Sequence, residues 1–174
     1  MRGFAMRPTA FLLLGGAITA PALFSPALLS PADAAPPGAV TITIPRLDVA
    51  EYHRPYVAVW LEPVSGGTPR TLAVWYDLKK RGNDPGTKWL ADLRAWWRKG
   101  GRSMTMPADG ISGATRTPGQ YTIPLPADLK PGQYVLNVEA ARETGGRELV
   151  SVPLAAGART SGKTELGAIS LSAR

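Results

Sequence analysis

Beyond residue 35 the chain is divided by Pro and Gly into short runs, and most of those runs alternate apolar with polar side chains. A period of two marks half-buried strands, and the frequent breaks leave little room for long helices. Val40–Ile44, Tyr56–Glu62, Thr71–Tyr76, Gln120–Leu125, Tyr134–Ala140, Glu148–Val152 and Leu166–Leu171 read as strands. Pro63 and the Ser65-Gly66-Gly67 turn join the second to the third as a hairpin, and Gly145-Gly146 makes a similar turn further on. The pattern predicts a mainly β protein: an antiparallel immunoglobulin-like β-sandwich of seven or eight strands with one short Trp-rich helix. Trp60 and Trp75, at similar places on two neighbouring strands, are expected as large core residues.

The helix is predicted over Thr87–Lys99. Trp89, Leu90, Leu93, Trp96 and Trp97 follow one helical face. Arg94, Arg98 and Lys99 lie toward the C-terminal end, where the macrodipole favours cations, and Gly100-Gly101 stops the helix. The plain expectation is that these rings cap an open end of the sandwich. The functional alternative is that Trp96 or Trp97 stacks on a flat aromatic ligand.

Arg2 and Arg7 precede an apolar run that begins at Phe11–Ile18, and Ala32-Asp33-Ala34 offers a small-x-small cleavage site. Residues 1–34 therefore read as a secretory signal peptide, 35–39 as a linker and 40–174 as a single domain. Pro21, Pro26 and Pro31 argue against reading the leader as a membrane span, and no later run approaches the length of one. The expectation is an exported, periplasmic protein with no stable membrane insertion. There is no Cys, so disulfides and thiolate metal sites are excluded and the core must hold the fold by itself. The formal net charge is +7, of which Arg2, Arg7 and Asp33 belong to the leader. The basic residues are scattered, and export argues against a nucleic-acid partner. An anionic membrane surface, an acidic redox partner or a phosphate fits the charge better.

Between the helix and the later strands lies Asp109-Gly110-Ile111-Ser112-Gly113-Ala114-Thr115. Asp-Gly and Ser-Gly are ordinary turn chemistry, so the bland reading is a surface loop. The string also resembles the acceptor site of covalently flavinylated bacterial proteins, Asp-Gly-x-Ser/Thr-Gly-Ala-Thr, and every specified position matches. With each residue type at about 5–10% abundance, a chance match over the whole chain is on the order of 1 in 10^4 to 10^5.

In that family a secreted flavin transferase joins the phosphate of FMN to the final Thr hydroxyl, which implies Thr115 as the acceptor. The small residues Gly110, Gly113 and Ala114 would let the backbone enter a narrow transferase site. Asp109 and Ser112 would hold the local shape. Arg116 is placed to meet the phosphodiester, and Trp96 or Trp97 to stack on the isoalloxazine. A covalent link suits a compartment where lost flavin is not easily replaced.

The wider chain resembles a bacterial periplasmic family of unknown function. The likeness rests on Arg54-Pro55-Tyr56-Val57-Ala58-Val59-Trp60, Lys88-Trp89-Leu90-x-Asp92-Leu93, the acceptor stretch through Gly119 and Tyr121, and Glu139-Ala140-Ala141-Arg142-Glu143. Members of that family are associated with PepSY-type membrane reductases and flavin transferases. The resemblance implies an electron carrier between such a reductase and an extracytosolic acceptor such as a ferric complex, rather than a free-standing enzyme.

The alternative from a different class is a non-catalytic immunoglobulin-like binding module with no cofactor. Other chemistry is weakly supported. His53 is the sole His, which makes a metal or haem site a minor reading. No Ser sits in a Gly-x-Ser-x-Gly elbow, and no Walker or dinucleotide fingerprint is present. Glu139 and Glu143 read as solvated or ion-paired carboxylates.

Overall fold

The computed structural model describes residues 37–78 and 86–173. The leader read from residues 1–34 lies outside them. Among the described residues nine strands form two sheets. One sheet runs β5 (Gly119–Pro124), β1 (Pro37–Ile44), β9 (Ala168–Ala173), β8 (Arg159–Ser161). The other runs β4 (Ser112–Ala114), β3 (Arg70–Tyr76), β2 (Tyr56–Pro63), β6 (Tyr134–Ala141), β7 (Arg147–Pro153). The β-sandwich is as expected. β1 begins at Pro37, so the segment read as a linker to residue 39 already pairs with β9 and β5.

β4 and β8 are additions to the seven runs seen in the sequence, and each is three residues long. Pairing is antiparallel throughout except between β3 and β4, which run parallel. The stretch read as a surface loop is therefore in part an edge strand.

Two apolar layers explain the burial pattern. Between the sheets lie Val40, Ile42, Ile44, Val57, Val59, Leu61, Trp75, Leu136 and Val138, among others. On the outer face of the five-stranded sheet, Ala58, Trp60, Val74 and Tyr76 meet Leu90, Leu93 and Trp96. Because β2 is covered on both faces, Val57–Leu61 is buried without a break, where a one-sided strand alternates. Trp60 and Trp75 are core residues as expected, but in different layers.

The helix differs from its prediction in two ways. It is divided into a 3₁₀ segment, Gly86–Asp92, and a five-residue α1, Arg94–Arg98. It also lies over the face of the five-stranded sheet and not across an open end. Leu90, Leu93 and Trp96 are buried, whereas Trp89 is exposed. No side chain caps α1 locally at Leu93. The free N–H groups of its first turn are met from across the fold by Glu139 on β6. This fully buried carboxylate accepts from Ala95 N–H at 3.0 Å and Trp96 N–H at 2.8 Å. Arg147 Nη1 donates to the same group at 2.8 Å. Glu139 is thus ion-paired but not solvated, and it ties the outer layer to the sheet.

The C-terminal half is fastened by two further carboxylates. Glu148 accepts the backbone N–H groups of Lys163, Thr164, Glu165 and Leu166, which fixes the turn between β8 and β9. Buried Glu165 pairs with Arg142 Nε at 3.0 Å.

Candidate functional site

β4 belongs to the edge of its sheet because its pairing is made on one side only, to β3. Val74 N–H donates to the Ile111 carbonyl at 2.9 Å, and Ser112, Gly113 and Ala114 lie opposite Val74, Trp75 and Tyr76. Thr115 N–H donates to the Tyr76 carbonyl at 3.2 Å and extends the ladder by one residue. The turn before β4 is closed by Ser112, whose N–H donates to the Ala108 carbonyl at 2.9 Å. Its hydroxyl oxygen accepts the Ala108 N–H at 2.8 Å, so the expected local role of Ser112 holds.

Both glycines of the stretch have reasons within the fold. Gly110 adopts φ +71°, the left-handed turn conformation that glycine accepts at least cost. A Cβ on Gly113 would stand 3.0 Å from Cδ1 of the Trp75 indole, so a larger residue would push β4 off β3. Ala114 and Asp109 are exposed, and Thr115 is half-buried.

Successive side chains of an extended segment point to opposite sides, and the two residues after β4 do so. The Thr115 hydroxyl donates to Asp77 Oδ1 at 3.1 Å. The Arg116 guanidinium instead lies over the rings of Trp75, at 5.2 Å, and Tyr121, at 5.4 Å. Trp75 and Tyr121 themselves meet edge to face at 5.6 Å.

A cavity lies on each side. The Asp77 side encloses about 440 Å³ and includes Tyr76, Asp77, Gly86, Pro107, Asp109 and Gly110 in its walls. The Arg116 side encloses about 280 Å³, walled by Leu72, Trp75, Gly113, Arg116, Tyr121 and Ile123 among others. The first carries two carboxylates. The second is apolar and aromatic with one cation.

Behind Asp77 the packing is tight. A Cβ at Gly86 would collide with the Asp77 carbonyl oxygen and crowd the Tyr56 hydroxyl. Burial, and next the Asp77 carboxylate, push the Tyr56 phenol up to about 12, so it stays protonated at neutral pH. Tyr56 also stands edge-on to Tyr76 at 6.4 Å.

Residues 38–169 match the family described as "Predicted periplasmic protein (DUF2271)". The chain belongs to this family. No curated protein matches the chain, and no solved structure does. The family match runs from β1 into β9 and takes in both sheets, the outer layer and the whole Asp109–Thr115 stretch. Among the described residues, no helix is long and apolar enough to cross a membrane.

The other residues singled out in the sequence fall elsewhere. Trp96 is 1% exposed and donates its Nε1–H to Thr71 Oγ1 at 3.0 Å. A Cβ on Gly101 would strike its ring, so that face is already covered, and Trp96 is packing rather than a platform for an outside ring. Trp97 is half-buried against Trp96, with centroids 6.2 Å apart. The structure does not place Trp96 or Trp97 in the walls of either cavity beside β4. Trp75 and Asp77, which the sequence did not single out for the site, also flank the stretch, as does Tyr121, which the family resemblance had named only as the end of it. The strand pattern located Trp75 and Tyr121 as core or strand residues, but nothing in it linked them to residues 112–116. His53 Nε2 pairs with Glu51 Oε1 at 2.8 Å, and no group of metal-binding side chains gathers among the described residues.

Proposed function

We propose that this DUF2271 protein is exported by its N-terminal leader and carries FMN covalently on Thr115, as a periplasmic electron carrier. The observation that carries this reading is the presentation of Thr115. The acceptor-like stretch stands at a sheet edge with its threonine half-buried, and among the described residues no further strand pairs outside it. An extended edge is the form in which a backbone most readily enters another protein's groove.

The two sides of β4 differ in what they offer the group. Arg116 carries the charge and forked donors that a phosphodiester needs, and Tyr121 with Trp75 offers aromatic surface beside it. The surrounding Leu72 and Ile123 give the apolar wall usual in a cofactor site, at a volume near the lower end of such pockets. The opposite side, with Asp77 and Asp109, would repel a phosphodiester. The seat for the flavin ring is therefore the Arg116 side, with the phosphodiester passing round the sheet edge from the Asp77-facing hydroxyl of Thr115. Bound there, FMN would supply the one- and two-electron chemistry, and the protein would set its position and potential. A PepSY-type membrane reductase is the donor proposed, and an extracytosolic acceptor such as a ferric complex the destination.

The experiment is co-expression with a periplasmic flavin transferase, followed by denaturing electrophoresis. Flavin fluorescence should stay with the denatured chain and vanish in Thr115→Ala. A colourless chain in the presence of an active transferase would support the binding-module reading instead.

A further inference from the structure

The hydrogen bond from Thr115 to Asp77 has a direction that matters for chemistry. The hydroxyl donates to Oδ1 with 3.1 Å between the oxygens, within the reach required of a general base. Asp77 follows β3 directly, and its carbonyl oxygen lies where a Cβ on residue 86 would strike it. Thr115 is held in turn by its own N–H on the Tyr76 carbonyl at 3.2 Å. The two side chains thus face each other from adjacent, hydrogen-bonded backbones, and the pair exists before any transferase arrives.

The geometry points to Asp77 as the group that takes the Thr115 proton during flavin attachment, so that the acceptor protein supplies part of the chemistry of its own modification. The inference rests on the reading of Thr115 as the flavin acceptor. In the step, Thr115 Oγ bonds to the phosphorus of the FMN half of flavin adenine dinucleotide. The bond from that phosphorus to the bridging oxygen breaks, and AMP leaves with that oxygen and the bonding electron pair. The hydroxyl proton passes to the Asp77 carboxylate and then to solvent. No oxidant or reductant is consumed. Afterwards the hydrogen bond to Asp77 has lost its donor, and a negative phosphodiester faces a carboxylate. That repulsion favours the Arg116 side for the product.

The test uses the purified chain, a periplasmic flavin transferase, flavin adenine dinucleotide and Mg²⁺, with attachment followed by intact mass. Asp77→Asn keeps the shape and an acceptor oxygen but cannot take the proton; Asp77→Ala removes both. Both variants are expected to lose about 10²-fold in kcat, while KM for the chain stays within about twofold because the edge strand is presented unchanged. Melting curves matching the wild type confirm that the fold is retained. If Asp77→Asn keeps the wild-type kcat, the proton-acceptor role is wrong, and a loss confined to Asp77→Ala would mark the contact as a positional staple. If KM rises and kcat does not fall, Asp77 only shapes the strand and the inference fails. If the wild type is not modified, the acceptor reading itself falls and this inference with it.

Discussion

The Gly113 Cα stands so close to the Trp75 indole that a Cβ there would lie 3.0 Å from Cδ1. Trp75 is buried between the sheets and also holds Tyr121 and Arg116, so it has little room to yield. Gly113→Val should cost about 1–3 kcal/mol by overpacking. Because the strain falls on a three-residue edge strand, flavin attachment should fall more steeply than stability. Denaturant titration alongside attachment rate checks both. Full attachment in Gly113→Val would show that β4 need not pair with β3.

Glu139 should prove a large contributor to stability. Its removal leaves the Ala95 and Trp96 N–H groups buried without partners and frees Arg147. Glu139→Ala is expected to destabilise by about 3 kcal/mol. Thermal melting should show the loss, and α1 should lose protection in hydrogen exchange before the sheets do.

Much of this protein was legible from its residues, for reasons that are local. Val40–Ile44 and Tyr134–Ala140 alternate or are β-branched, and Pro and Gly mark their ends, so they announce themselves. β4 and β8 do not, because three residues are too few to show a period, and β4 is fixed by a parallel neighbour some 40 positions earlier. The helical face of Trp89, Leu90, Leu93, Trp96 and Trp97 suggested one continuous helix. The outer layer instead uses a 3₁₀ segment and a short α1, anchored by a carboxylate 43 residues away. The motif itself was visible, but Asp77 is brought to it only by the pairing of β3 with β4, and Tyr121 meets Trp75 only through the packing of one sheet on the other.

Acid should weaken the fold through Glu148. Burial alone would raise this carboxylate, but four backbone N–H donors outweigh it and hold it below its ordinary value. The folded protein thus binds the proton less readily than the unfolded chain. The stabilisation is complete above the unfolded value of about 4.3 and fades as pH falls through the folded value. Melting temperature should drop across that window, and Glu148→Gln should flatten the drop. At the alkaline end, Tyr56 behaves oppositely: its stabilisation holds below about 10 and is lost as pH rises through about 12. Tyr56→Phe should remove that loss.

Arg116 should tune the attached flavin. A cation beside the ring and phosphodiester favours the reduced, more negative state. Arg116→Gln is expected to lower the midpoint potential by roughly tens of millivolts. Potentiometric titration of the attached flavin reads this directly. An unchanged potential would place the flavin away from the Trp75–Tyr121 side.

The central claim is that Thr115 carries the cofactor. The most direct measurement is the intact mass of the exported chain made with and without a periplasmic flavin transferase, beside Thr115→Ala. The account predicts a gain of one FMN less one water in the wild type only, on a chain that begins after residue 34. An unchanged mass beside an active transferase, or the same gain in Thr115→Ala, would contradict it.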